Sequence, residues 1–119
     1  MLEQKIKSII RNIPDFPKQG INFKDITPVL KDSTLCNEIA NSMAEFWSKE
    51  NIDIIVGIES RGFLFGFRLA GLLNLPFVLI RKPGKLPYQK TSYSYELEYG
   101  TSVIELQKED IPKNSNVLI

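Results

Sequence analysis

The chain has 119 residues, 43% hydrophobic and 24% charged, with a formal net charge of +1. That length builds one domain with a real core but not two, and so small a charge gives no general pull toward nucleic acid or a membrane surface, so any anion site must be local. With no histidine and a single cysteine, Cys36, the composition excludes a Ser-His-Asp or Cys-His nucleophile, a histidine metal site and an internal disulfide, and any acid or base must be Asp, Glu, Lys or Tyr.

Leu2, Ile6, Ile9, Ile10 and Ile13 recur at helical spacing, which predicts a helix over residues 2–12 ended by Pro14 and Pro17. IPDFPKQGINFKDITPVL then reads as a turn-rich connector with a short extended piece near Ile21 to Phe23. Asp32 and Ser33 offer caps for a helix through about Lys49, with Leu35, Ile39, Met43, Phe46 and Trp47 on one face. IDIIVGI, residues 52–58, is apolar and β-branched, the pattern of a strand buried on both faces. Phe63 to Leu73 is long enough for a helix and carries only Arg68 as a charge. Such a helix lies deep in a core or is shared with another subunit.

PFVLIR, from Pro76 to Arg81, is a second buried strand, and RKPGKLPYQK is a basic loop. SYSYELEY alternates strictly: Tyr93, Tyr95, Leu97 and Tyr99 on one side, Ser94, Glu96 and Glu98 on the other. It pairs with TSVIELQ as a hairpin across Gly100. NSNVLI is a third apolar strand with no turn residue after Ile119. A short edge strand fits, but the expectation is a chain cut short inside a larger fold.

Helices alternating with strands from residue 33 onward predict an α/β fold, a three-layer sandwich with a mostly parallel central sheet. Residues 1–119 then form a single domain: an N-terminal helix and flanking segment over 1–32, and an α/β core over 33–119 with a hairpin at about 92–107. In such sheets ligands sit at the carboxyl ends of strands. GIESRG, residues 57–62, becomes the loop between a central strand and a helix start, where backbone N–H groups and Arg61 make an anion pocket. It is neither a Walker A loop nor G-x-G-x-x-G, and by itself it also fits a plain helix-start turn. Arg81, Lys82 and Lys85 suit phosphate contacts or a solvated basic turn. Glu98 and Tyr99 beside Gly100 suit a mobile loop near a ligand, or a half-buried strand with aromatic packing.

The succession INFKDITPVLKD, GIESRGFLFG, LIRKPGKLP, then SYSYELEYG with IELQK, resembles adenine phosphoribosyltransferase, a type I phosphoribosyltransferase, over essentially the whole chain. The resemblance implies the type I fold with a β-hairpin hood. It implies transfer of phosphoribosyl from 5-phospho-α-D-ribose 1-diphosphate to N9 of adenine, giving AMP and diphosphate in purine salvage. Mg2+ accompanies the diphosphate with no direct protein ligand, and the enzyme is a cytoplasmic homodimer. Ser60, Arg61 and Gly62 map to the diphosphate loop, which often holds a non-proline cis peptide, here near Glu59 to Arg61. Arg81, Lys82 and Lys85 map to the basic loop that reaches diphosphate, in part from the neighbouring subunit. Asn22, Phe23 and Lys24 map to the adenine-binding segment, with Lys24 where many relatives have Arg and Asn22 where an apolar residue is common. Glu98 and Tyr99 map to the hood as catalytic residues: Glu98 handles the adenine proton or stabilises the cationic ribose, and Tyr99 excludes water.

In the family the strand begun by NVLI runs on into two acidic residues and a Thr-Gly-Gly-Thr loop that holds the 5-phosphate. The resemblance therefore implies a member truncated at its C-terminus, lacking half the sugar-phosphate site. The alternatives are a non-catalytic purine- or phosphoribosyl-diphosphate-binding module of the same fold, and a remnant that only dimerises. The sequence has no run of 18 apolar residues, and MLEQKIKSII lacks a signal peptide's core and cleavage site. With the lone cysteine these features lead to the expectation of a cytoplasmic protein with neither nucleic acid nor membrane as partner.

Overall fold

The computed structural model describes residues 1–97 and 100–119, which fall into two compact units, Met1–Met43 and Ala44–Ile119. In the first, α1 (Leu2–Ile9) is shorter than its apolar spacing predicts. Ile10 is already extended, and β1 (Arg11–Ile13) pairs antiparallel with β2 (Phe23–Asp25), Arg11 opposite Asp25 and Ile13 opposite Phe23. Pro14 disfavours a helical Ile13, and the ladder gives the backbone other partners, reinforced by an Arg11–Asp25 ion pair at 3.3 Å.

A single turn, α2 (Thr27–Leu30), leads to α3 (Ser33–Trp47). Asp32 caps α3 as its sequence suggests: its Oδ1 accepts the Leu35 N–H at 2.9 Å. The core of this unit is Val29, Leu35 and Cys36, onto which Leu2, Ile6, Ile9, Ile10 and Ile39 pack. The α1 stripe, half-buried, thus faces this core as its period requires. At the other end of α3, Phe46 is 66% exposed and stacks edge-on against Trp47.

The second unit is built on a five-stranded sheet. Its elements are β3 (Ile54–Ile58), α4 (Arg61–Leu73), β4 (Phe77–Arg81), β5 (Lys90–Leu97), β6 (Gly100–Gln107) and β7 (Val117–Leu118), in the sheet order β5-β6-β4-β3-β7. β3 pairs parallel with β4 and β7, which is the parallel core that alternating helices and strands predict. β4 pairs antiparallel with β6, and β6 with β5. The hairpin therefore extends the central sheet and makes it mixed.

The two faces of β3 divide the packing. Ile54 and Val56 join Val78, with Ile80, Leu106 and Ile111 around them. Ile55 and Gly57 face the other way, toward α4, whose Leu69 and Ala70 are buried. Between β3 and α4 lies the ring of Phe77, edge-on to Phe63 and Phe67. A methyl group at Gly57 would sit 2.5 Å from Cζ of that ring and 2.9 Å from the carbonyl oxygen of Gly62. Only glycine permits this approach, and it sets the start of α4 close against the end of β3. α4 stops at Asn74, which is left-handed at φ 55° and donates back to the carbonyls of Ala70 and Gly71.

Candidate active site

β3 ends at Ile58, and three residues later α4 begins. Ser60 occupies the N-cap position, Arg61 and Gly62 open the helix, and all three are exposed. A helix start directs its first N–H groups and the positive end of its dipole outward, here at the carboxyl end of a central parallel strand. The Glu59–Ser60 peptide is cis, within the span where a non-proline cis bond is expected.

The adjacent parallel strand, β4, ends in Arg81, and the loop after it carries Lys82 and Lys85, both exposed. Glu59 joins the two segments. Its carboxylate accepts from Arg81 Nε and Nη2, each at 3.3 Å, and from the Lys82 backbone N–H at 2.9 Å. The Lys82 N–H foremost, then the Arg81 guanidinium, hold this carboxyl below the ordinary glutamate range against the opposing effect of desolvation, and Lys85 adds a weaker pull. Two of the five guanidinium N–H donors of Arg81 serve Glu59. The turn at 59–62 and the loop at 81–85 are thus joined through the Glu59 carboxylate into one stretch that carries Arg61, Arg81, Lys82 and Lys85.

Glu59 is the residue that sequence reasoning missed, although it opens the ESRG stretch. An acid at a strand end, one position before a helix cap and in register with an arginine ending the neighbouring strand, is the signal that finds it. Glu105 was missed too. It is 6% exposed on β6, and accepts the Gly84 N–H at 2.8 Å and the Ser92 hydroxyl at 2.6 Å. The Ser92 hydroxyl first, then the Gly84 N–H, keep its carboxyl below the ordinary range.

Asn22, Phe23 and Lys24 lie in the first unit. Phe23 is half-buried at the start of β2, edge-on to Phe16 at 5.2 Å. With Ile13 and Asp25 these rings line a shallow cavity of about 210 Å³. Asn22 is exposed, and the Lys24 ammonium donates to Asn12 Oδ1. Asp25 turns its carboxylate to Thr27, accepting the backbone N–H at 3.0 Å and the hydroxyl at 2.7 Å. Those two bonds lower its pKa, with a smaller contribution from Arg11. The D-I-T-P stretch is a turn signal that foreshadows this arrangement. Glu98 and Tyr99 lie outside the described residues.

Among the described residues no cluster of three or more His, Cys, Asp or Glu could hold a metal ion, and no helix is long and apolar enough to cross a membrane. No protein-family model matches the chain. It is 56% identical over 116 residues to the adenine phosphoribosyltransferase of Malacoplasma penetrans, an alignment covering 98% of this chain and 67% of that protein. Among solved structures, the adenine phosphoribosyltransferase of Thermoanaerobacter pseudethanolicus superposes with a TM-score of 0.93 at 50% identity, over 98% of this chain and 67% of that one. The Saccharomyces cerevisiae enzyme, crystallised with adenine and an imino-altritol bisphosphate, gives 0.88 at 41% identity, over 98% of this chain and 68% of that one. The chain spans about two thirds of the relatives it matches, and across that span both sequence and fold place it in the adenine phosphoribosyltransferase family.

Proposed function

We propose that the 59–62 turn and the 81–85 loop together take the diphosphate of 5-phospho-α-D-ribose 1-diphosphate. The reaction is transfer of the phosphoribosyl group to N9 of adenine, giving AMP and diphosphate, a step of purine salvage. Breaking the C1–O bond builds positive charge on the ribose and negative charge on the departing diphosphate. Ser60, Arg61 and Gly62 meet the latter with a hydroxyl, a guanidinium and helix-start N–H groups, and Arg81, Lys82 and Lys85 add cations from the neighbouring loop. Mg2+ enters as the substrate's own counterion, chelated by the diphosphate. It screens the same developing charge.

Phe23 offers a ring face for adenine, and Asn22 and Lys24 offer polar contacts to the base. Glu98 carries the adenine proton or faces the cationic ribose, a role worth ~10²–10⁴ in rate. Tyr99 excludes water that would otherwise hydrolyse the activated sugar. The exposed Leu64, Phe67 and Leu72 on α4 suit a homodimer contact, because an apolar helix face gains by burial against a copy of itself. A cytoplasmic setting agrees with this substrate set.

The observation that supports the proposal is the joining by Glu59 of the 59–62 turn and the basic 81–85 loop at the ends of adjacent parallel strands. The test is an adenine-to-AMP assay with the sugar diphosphate and Mg2+, with hypoxanthine as the competing base. AMP formation that falls at least tenfold in Arg61→Ala supports it. A folded chain that binds adenine and diphosphate without forming AMP would make it a binding module instead.

A further inference from the structure

The segment between β4 and β5 has no regular structure, yet its backbone is tied at four places. The Lys82 N–H donates to Glu59 at 2.9 Å, the Gly84 N–H to Glu105 at 2.8 Å and the Tyr88 N–H to Gln107 Oε1 at 3.1 Å. The Lys108 N–H reaches the Gln89 carbonyl at 2.8 Å. The two ties nearest the basic side chains end on carboxylates. Gly84 is left-handed at φ 81°, the turn geometry in which its N–H meets Glu105.

Glu105, 6% exposed, is the only buried charged residue among the described residues. Burying a carboxylate is costly unless both oxygens are satisfied. One oxygen of Glu105 takes the loop N–H and the other takes the Ser92 hydroxyl of β5. In the sheet, Ser92 lies opposite Glu105 on one side and Arg81 lies opposite it on the other. Glu59 in turn holds Arg81. Four polar residues therefore cross the sheet in one row, from the turn before α4 to the hairpin that carries Glu98 and Tyr99 in sequence.

We infer that Glu59 and Glu105 are positioning residues that suspend the basic loop by two of its backbone N–H groups, so that the sheet, and not a bound ligand, places Lys82 and Lys85 and couples them to the hairpin. The consequence for catalysis rests on the diphosphate reading of the loop given above. The ionised state of both carboxyls, favoured by the same hydrogen bonds, agrees with the tether. A structural role alone would stabilise the whole unit evenly. A tether protects specific amides.

The test is site-resolved amide exchange by NMR on the full chain, with Ile55, whose N–H donates to the Pro76 carbonyl, reporting global opening. Glu105→Ala is expected to speed exchange at Gly84 about tenfold relative to Ile55, and Glu105→Gln, which keeps an acceptor oxygen, to restore most of the protection. Glu59→Ala is expected to act likewise at Lys82 and to spare Gly84. If Glu105→Ala fails to fold, Ser92→Ala removes half the clasp from an exposed position, and is expected to raise Gly84 exchange about threefold. Titration with magnesium diphosphate should then weaken several-fold in step with the lost protection. Equal acceleration at Gly84 and Ile55, or none at Gly84, would overturn the tether. Selective loss at Gly84 in a chain whose wild type binds no diphosphate would uphold the tether and overturn the diphosphate reading.

Discussion

Replacing Gly57 by alanine tests how the end of β3 and the start of α4 are held together. The added methyl would lie 2.5 Å and 3.0 Å from Cζ and Cε1 of Phe77, and 2.9 Å from the Gly62 carbonyl oxygen. The ring is wedged between Phe63, Phe67 and the β3 backbone, so it must tilt, or the first turn of α4 must lift. Overpacking of this kind costs ~2 kcal/mol. At roughly 4 °C per kcal/mol for a chain of this size, the thermal midpoint should fall by about 8 °C. Since Gly62 is itself one of the displaced groups, affinity for magnesium diphosphate should drop as well.

Shrinking the ring should relieve the clash. Phe77→Leu costs stability by itself, but the Gly57→Ala/Phe77→Leu pair should be more stable than the sum of the single changes by ~1 kcal/mol or more. Gly71→Ala is the control of opposite sign, with nothing within 4 Å of the new methyl. There the gain in helix propensity should stabilise by up to ~1 kcal/mol. Scanning calorimetry reads all four proteins. An unchanged midpoint for Gly57→Ala, or strict additivity with Phe77→Leu, would refute the packing argument.

Further consequences concern charge, the exposed helix face and chemistry. Glu59 and Glu105 both titrate below the ordinary glutamate value of 4.5 in the folded chain. A depressed carboxyl contributes stability that is present above its unfolded value and lost as pH falls through the folded one. The thermal midpoint should therefore fall as pH drops below 4.5, and Glu59→Gln/Glu105→Gln should flatten that decline. If α4 makes the proposed homodimer contact, light scattering reads twice the 13.6 kDa chain mass, and Leu64→Glu, which places a charge on the exposed side of α4, should shift it toward the chain mass. Glu98→Gln should lower the rate of AMP formation by ~10²–10⁴ with little change in adenine affinity.

The parallel core was legible because Ile54 to Ile58 and Phe77 to Arg81 are apolar runs bounded by turn residues, and a helix of adequate length lies between them. The site segments were legible as motifs, since GIESRG and RKPGKLP stand at strand ends where ligands bind. What connects them was not. Glu59 and Arg81 are 22 residues apart in the chain, and Gly84 and Glu105 meet only because β6 pairs with β4. Such contacts follow from register, which local pattern does not specify.

The early end of α1 has a similar cause. Ile13 fits the helical stripe, but Pro14 and pairing with Phe23 draw it into a strand. Phe46 also fits its stripe and is nevertheless exposed, because periodicity states which residues share a face, not what covers it.

The most direct measurement is a backbone-resolved NMR titration of the chain with magnesium diphosphate. If the diphosphate of the sugar donor sits between the two strand-end segments, the amides of Ser60, Arg61, Gly62 and Lys82 shift together with one saturation curve, while those of β1 and β2 stay still. Shifts that gather elsewhere, or a titration that saturates without moving the 60–62 turn, would contradict the account.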